Sequence, residues 1–317
     1  MKKIIKNLIK ITLLIILTLE TLQNPNIIIK TTLKAFKIWK ENIFPSLFIF
    51  FIIADLLINY GIIEILEEIS KPITNKLFKL KGTSSFVIIM SMISGFPSSA
   101  KYIKELYEKK LIDEYESTKI LMFTHFSNPL FILGTISISF LHNKKTGFLI
   151  LISHYIGNLI IGLIVRNYHP SKENTKINLI KKIKNIEAKQ PFVKQLTNSI
   201  KNTINSLLII LGTITFFLII TELLKENLNI NNNIQIILNG IIEMTQGLEK
   251  LSSSNLPLKI KCILTSIIIS FGGISVHMQI NSIIQDTKIK YKPYLLARIL
   301  HASISGAITY LIYNFII

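Results

Sequence analysis

Residues 203–223, TINSLLIILGTITFFLIITEL, carry a single charged side chain, Glu222, close to the end of the run. A helix needs about 20 mostly apolar residues to cross about 30 Å of hydrocarbon, so a run like this has few other destinations. Residues 43–61, IFPSLFIFFIIADLLINYG, form a second run, with Asp55 as its one acid. Hydrophobic residues make up 50% of the chain and mean hydropathy is +0.49. That balance is too apolar for an ordinary soluble domain and fits a polytopic membrane protein.

Lys and Arg number 36 against 18 Asp and Glu, a formal charge of +18. The lysines sit in loops between apolar runs, where they set membrane orientation and attract anionic headgroups. No nucleic-acid partner is expected. The single cysteine, Cys262, lies in an apolar segment, which excludes a disulfide framework or a cysteine-based zinc site within the chain. There is no P-loop, H-E-x-x-H or nucleophile elbow, so no enzyme, metal or cofactor is expected. The N-terminal MKKIIKNLIKITLLIILTLE is not followed by a small-residue cleavage site and reads as a retained first span.

The pattern divides the chain into an N-terminal span and interfacial helix (1–42), a first membrane repeat (43–166), a basic cytoplasmic linker (167–201) and a second membrane repeat (202–317). SLFIFFIIADLL (46–57) aligns without gaps on TITFFLIITELL (213–224), setting Asp55 opposite Glu222. SGFPSSAKYIKEL (94–106) matches FGGISVHMQINSI (271–283) in kind, and ILMFTHFSNPLFILG (120–134) corresponds to LLARILHASISGAITYL (295–311). The last pair sets His125 opposite His301. Residues 84–96 are short for a span and have lysines on both sides, which suits a segment that enters and returns. The expected fold is all-α, with two inverted repeats, about six full spans and a broken or re-entrant helix in each repeat. Residues 27–40 are amphipathic and are expected along the interface, with Trp39 at headgroup level.

The breaks are Gly95 and Pro97, Pro129, and Gly272 and Gly273. Non-helical backbone survives at membrane depth only where protein or a water-filled cavity surrounds it, because each unpaired polar group there costs several kcal/mol. Paired interruptions in two halves point to a transporter's binding site. Ser98 or Ser99 is a candidate cap, leaving free N–H groups at a helix start. Lys101 in that first turn opposes the helix dipole by about 0.3–1 kcal/mol, a sign that a bound anion reverses. Ser127 or Asn128 can cap a second helix with Pro129 at its first position. Ser275 can cap a third, with His277 in its first turn. Three polar helix starts with Lys101, His277 and Arg298 suggest a small anionic or carboxylate-bearing substrate.

Each of these residues also has a plainer reading. Lys101 can be a solvated lysine, Arg298 a snorkelling one, and His125 and His301 hydrogen-bonded core histidines. Asp55 and Glu222 are candidates for ion coupling or interfacial carboxylates. His154, Asn158, Gly157 and Gly162 read as helix-packing residues.

SGFPSSAKYIKELYEKKLIDEYESTKILMFTHFSNPLFILG, HYIGNLIIGLIVR and FGGISVHMQINSIIQDTKIKYKPYLLARILHA together resemble the YlbJ-type (SpoVV) sporulation integral membrane proteins, within the wider nucleoside-recognition or Gate domain group. The resemblance covers most of the chain, from Phe44 onward, and its S-G-[FY]-P, S-N-P and F-G-G-x-S-x-H-x-Q motifs occur in order. It implies a membrane protein of endospore-forming bacteria that moves dipicolinic acid across the outer forespore membrane. A homo-oligomer or other sporulation membrane proteins are the partners it suggests. The wider group includes nucleoside and ferrous-iron transporters, so a nucleoside or ion carrier is an alternative, as is a non-transporting scaffold for spore-envelope assembly. The turn reads SGFPSSA here where the family more often has S-G-[FY]-P-M-G-A, and the chain looks shorter than its relatives.

Overall fold

The computed structural model describes residues 2–60, 62–170, 191–228 and 231–317. Within the basic linker, residues 171–190 lie outside the described residues. The described chain is helical: α1 (Lys2–Gln23), α2 (Pro25–Ile38), α3 (Phe44–Asn59), α4 (Ile62–Phe78), α5 (Ser84–Ser94), α6 (Ser98–Glu108), α7 (Glu114–Phe123), a π-helical segment Phe131–Phe140, α8 (Lys144–Ile164), α9 (Phe192–Leu228), α10 (Asn232–Ile242), α11 (Met244–Ser252), α12 (Leu258–Phe271), α13 (Gly273–Ile284) and α14 (Tyr291–Ile316).

Among the described residues, four stretches are long and apolar enough to cross a membrane: Lys144–Asn167, Phe192–Asn227, Leu258–Ile284 and Tyr291–Ile316. The bent pair Asn7–Gln23 and Pro25–Ile43, which turns through 96°, makes a fifth if it counts as one span. The sequence led us to expect about six. The apolar run at 43–61 forms a helix of 16 residues, about 24 Å at 1.5 Å per residue and short of the hydrocarbon thickness. The run at 120–134 is split by non-helical residues 124–128. The second break also differs from expectation. Gly272 interrupts the hydrogen bonding, yet α12 and α13 continue as one span-length element rather than a hairpin.

Residues 27–40 are not simply laid on an interface. α2 and α3 pack along α9, where Ala35, Leu47, Phe51, Leu207, Ile210, Ile214 and Leu218 form a separate apolar core. Trp39 Nε1 donates to the Leu207 carbonyl at 2.9 Å, so the ring is turned onto α9. The main core lies among α5 to α8 and α10 to α14. Gly157 and Gly162 allow α8 to approach closely, as its sequence suggests. A Cβ on Gly157 would meet Ser305 Oγ at 2.7 Å, and one on Gly162 would meet Phe78 at 2.7 Å. Outside these cores, apolar side chains on α1, α8, α9 and α14 are exposed over areas that lipid, not water, would cover.

The lysine-rich end is fastened through α7. Glu116, fully buried, accepts from the Lys81 N–H and Ser84 Oγ, both at 2.8 Å, at the start of α5. Lys119, also fully buried, donates to the carbonyls of Lys79 at 3.1 Å and Arg166 at 2.6 Å. An acid at a helix start and a base at helix ends both complement the helix dipoles.

Candidate functional site: two crossed helix breaks

The helix interruptions meet in pairs. In the first pair, Gly95, Phe96 and Pro97 separate α5 from α6, and residues 124–128 separate α7 from the helix that starts at Pro129. The Phe96 N–H donates to Phe126 O at 2.7 Å. Asn128 Nδ2 donates to the Ser94 and Ile93 carbonyls at 3.2 and 3.4 Å, while its Oδ1 accepts from the Leu130 N–H at 2.7 Å. One side chain thereby ends α5 and starts the next helix. The expected cap at Asn128 before Pro129 is present. Gly95 has φ 78°, and a Cβ there would lie 2.4 Å from Asn128 N, so no larger residue fits this approach.

In the second pair, Glu243 separates α10 from α11, and Gly272 separates α12 from α13. Glu243 caps α11, its Oε2 accepting from the Gln246 N–H at 2.8 Å. A Cβ on Gly273 would stand 3.0 Å from Met244 N, so the two breaks touch through backbone.

A cavity of about 60 Å³ lies between the two crossings, lined by Pro97, Asn128, Glu243, Thr245, Ser275 and Gln279. Pro97, Asn128 and Glu243 each stand at a helix start, and Ser275 lies in the first turn of α13. Helix starts present free N–H groups and partial positive charge, the makings of an anion site. Pro97, Ile210 and Gln279 also line a second cavity of about 620 Å³, together with Phe51, Ser98, Lys101 and Asn205. The small chamber has room for a few waters or a carboxylate group. The large one can take the body of a small molecule.

Residues 41–144, which contain the first crossing, match the family model for nucleoside recognition, Gate. The chain is also 29% identical, over 344 aligned residues covering 97% of this chain and 84% of its relative, to the sporulation integral membrane protein YlbJ of Bacillus subtilis (strain 168). No solved structure matches the chain. No cluster of metal-ligating residues occurs among the described residues.

Within and behind residues 41–144 the sequence-derived candidates separate into two groups. Asn128 and Ser275 line the small cavity; Ser98 and Lys101 line the large one. His277 and Arg298 line neither. Ser98 does not cap α6. Its hydroxyl pairs with Ser94 Oγ at 2.6 Å and donates to the Gly95 carbonyl, closing the turn instead. Ser99 does not cap it either, and its buried Oγ has no partner. Ser275 is likewise not a cap: the left-handed Gly272 begins α13, leaving Ser275 Oγ buried and unpartnered.

Lys101 has an anion already. Its Nζ lies 2.9 Å from Asp55 Oδ1 and 5.3 Å from the Phe51 ring centre. Asp55, aligned by sequence with Glu222, therefore has a different setting. Glu222 accepts from Gln246 Nε2 and stands 4.0 Å from Lys225.

Arg298 holds the break from behind. Its guanidinium donates to the Met122 carbonyl in the last turn of α7, to Asn158 Oδ1 at 3.1 Å and to His301 Nδ1 at 2.7 Å. No carboxylate pairs with it among the described residues, and the C-terminal end of α7 supplies the complementary partial charge. Asn158 in turn donates to His125 O at 2.8 Å. His154 Nε2 accepts from the Ser127 N–H at 2.9 Å, so the other ring nitrogen carries the proton toward Ser270 Oγ. His125 is bonded to Tyr294 OH at 2.8 Å, and His301 Nε2 to His154 O at 2.9 Å. His277 bridges Tyr291 OH and the Phe271 carbonyl at 2.8 and 3.0 Å, tying off α12. His154 and Asn158 thus do more than pack helices: with Arg298 they pair the backbone that the break exposes.

Sequence reasoning passed over Glu243. Its signal was present: Glu243, followed by Met, Thr and Gln, comes immediately after the apolar IQIILNGII, the pattern of a capped helix start inside a greasy stretch. Gln279, which joins the two cavities, carried no comparable signal.

Proposed function

We propose that the chain is a carrier for a small carboxylate, with dipicolinate as its substrate and the outer forespore membrane as its site of action during sporulation. The convergence of helix starts on one cavity, beside a chamber of about 620 Å³, is the observation that carries this reading. Dipicolinate is a flat dianion. One carboxylate enters the small cavity against the helix starts, with Asn128 and Ser275 as polar contacts, and the ring and second carboxylate occupy the large one beside Ser98, with the unpartnered Ser99 Oγ in the same first turn of α6. Lys101 balances the remaining charge by exchanging Asp55 for the substrate. His277 and Arg298 position the breaks rather than touching the substrate, and Glu222 is a weaker candidate for ion coupling than its alignment with Asp55 suggested.

Two inverted repeats account for the arrangement, in a register shifted from the one the motifs suggested. α14 is a continuous helix of 26 residues, which does not match the interrupted 120–134. Pairing α5 and α6 with α10 and α11, α7 and the π-helical segment with α12 and α13, and α8 with α14 sets broken element against broken element and continuous helix against continuous helix. Alternating access then follows from one crossing rocking on the other.

A nucleoside is the second reading, favoured by the description of the Gate family itself. Uptake of labelled dipicolinate into liposomes holding the purified protein, with uridine in parallel, separates the two. Dipicolinate uptake that falls in Lys101→Gln supports the carboxylate carrier. Uridine uptake replaces the substrate, and no uptake of either by folded protein favours a scaffold.

A further inference from the structure

Glu243 is almost fully buried, at 1% exposure, and lines the cavity on which the helix starts converge. Beside it Ser275 Oγ, on a fully buried residue lining the same cavity, has no hydrogen-bond partner. Among the described residues no base forms an ion pair with Glu243. The charged and titratable groups on the elements packed around it are otherwise engaged. Lys34 on α2 is paired with Glu249 on α11 at 2.5 Å. Glu222 on α9 is held by Gln246 and stands near Lys225. Lys250 lies farther along α11, on a separate polar pocket with Lys34, Lys225 and Glu249. His277 on α13 is bonded to Tyr291 and Phe271, and Lys101 on α6 to Asp55.

At the start of α11 burial raises the affinity of Glu243 for a proton, while the dipole and the Gln246 N–H favour its negative charge. The same feature that would draw a substrate carboxylate therefore already holds one. Two carboxylates sharing a site of this size do not both stay ionised, because each raises the other's affinity for a proton. We infer that Glu243 is the proton-carrying group of the carrier: it takes up one proton as a substrate carboxylate enters the cavity, and releases it when the carboxylate leaves. The inference rests on the carboxylate-carrier reading above and adds its driving force. No covalent bond of the substrate changes. The proton comes from water on the loading side and returns to water on the other, so each anion crosses with one proton. The corresponding place in the first crossing holds Gly95, Phe96 and Pro97, none of which ionises, so one proton per cycle is the expected stoichiometry.

The test uses full-length protein in liposomes and labelled dipicolinate, with an imposed pH gradient and no sodium, then with a sodium gradient at equal pH. Uptake is expected to be driven from the acidic side, with a gradient of about one pH unit supporting about tenfold accumulation. In Glu243→Gln the ratio of uptake with and without the gradient is expected to fall to about one; Glu243→Asp, which keeps an ionisable group, restores the dependence. In detergent, wild type is expected to take up a proton on binding dipicolinate in weak buffer, and Glu243→Gln is not. Dipicolinate uptake that ignores the pH gradient, or that follows sodium instead, overturns the proton assignment and leaves the carrier reading standing. No dipicolinate uptake by folded wild-type protein overturns the carrier reading itself, and this inference with it.

Discussion

The crossing at Gly95 and the crossing at Gly272 meet the same requirement with different chemistry. At the first, the exposed backbone is paired by a dense polar set: Asn128 with the Ser94 carbonyl, Phe96 with Phe126, and His154 with the Ser127 N–H. At the second, two glycines let backbones touch, with His277 tying the Phe271 carbonyl. The backbone of the first crossing is closed hydrogen bond by hydrogen bond, and its unpartnered hydroxyl, Ser99, lines neither cavity. The second keeps an unpartnered hydroxyl, Ser275, on the cavity, beside Glu243, an acid that caps α11 and forms no ion pair among the described residues. The difference suggests a fixed half and a responsive half: polar groups left over after the fold is satisfied are the ones available to a ligand.

If that contrast is right, Gly95→Ala has the largest effect. Its Cβ would meet backbone at 2.4 Å in a left-handed conformation, and neither can yield. A loss of about 3 kcal/mol or more is expected, seen as little folded protein in a detergent melting assay. Gly272→Ala pays the same backbone strain but meets His125 Nε2, a side-chain atom, at 2.7 Å. It is expected to fold, with a lower melting temperature. Equal losses for the two glycines would erase the distinction.

Asn128→Ala comes next. It removes a cap and leaves the Ser94 carbonyl without that bond, a cost of about 2 kcal/mol in the same assay. Ser275→Ala, at the corresponding place in the responsive half, removes a group with no partner and is expected to leave melting within about 0.5 kcal/mol while weakening dipicolinate binding. Asp55→Asn sharpens the account further. Freeing Lys101 from its ion pair is expected to lower stability by about 1 kcal/mol and tighten anion binding, read by titration with dipicolinate. The smallest effect is expected for Glu222→Gln, within about 0.5 kcal/mol, because that carboxylate is partly solvated and its ion pair with the exposed Lys225 is long, at 4.0 Å.

Much of the fold was legible because spans and breaks are local properties of composition. The runs at 203–223 and 291–316, the Gly95–Pro97 interruption and the Asn128–Pro129 start can all be read from short windows. Which breaks would face each other was not legible, since that depends on packing between distant segments. Glycine and serine in both SGFPSS and FGGIS suggested a direct correspondence, whereas the structure sets the first against 124–128 and the second against Glu243. The charges misled for a related reason. Lys101 and Asp55 are far apart in sequence and paired in space. Arg298 looked like a substrate ligand because its partners are neutral, the Met122 carbonyl with Asn158 and His301, and no acid nearby in the sequence marks them.

The most direct test of the central claim places a reporter where the two cavities join. Gln279 lines both, so Gln279→Cys in a Cys262→Ala background gives a single thiol at that point. Its reaction with a water-soluble, charged thiol reagent is followed in liposomes with and without dipicolinate. The account expects the thiol to react and dipicolinate to slow it, with uridine having no effect. A reaction rate that dipicolinate leaves unchanged would contradict a carboxylate site between the crossed breaks.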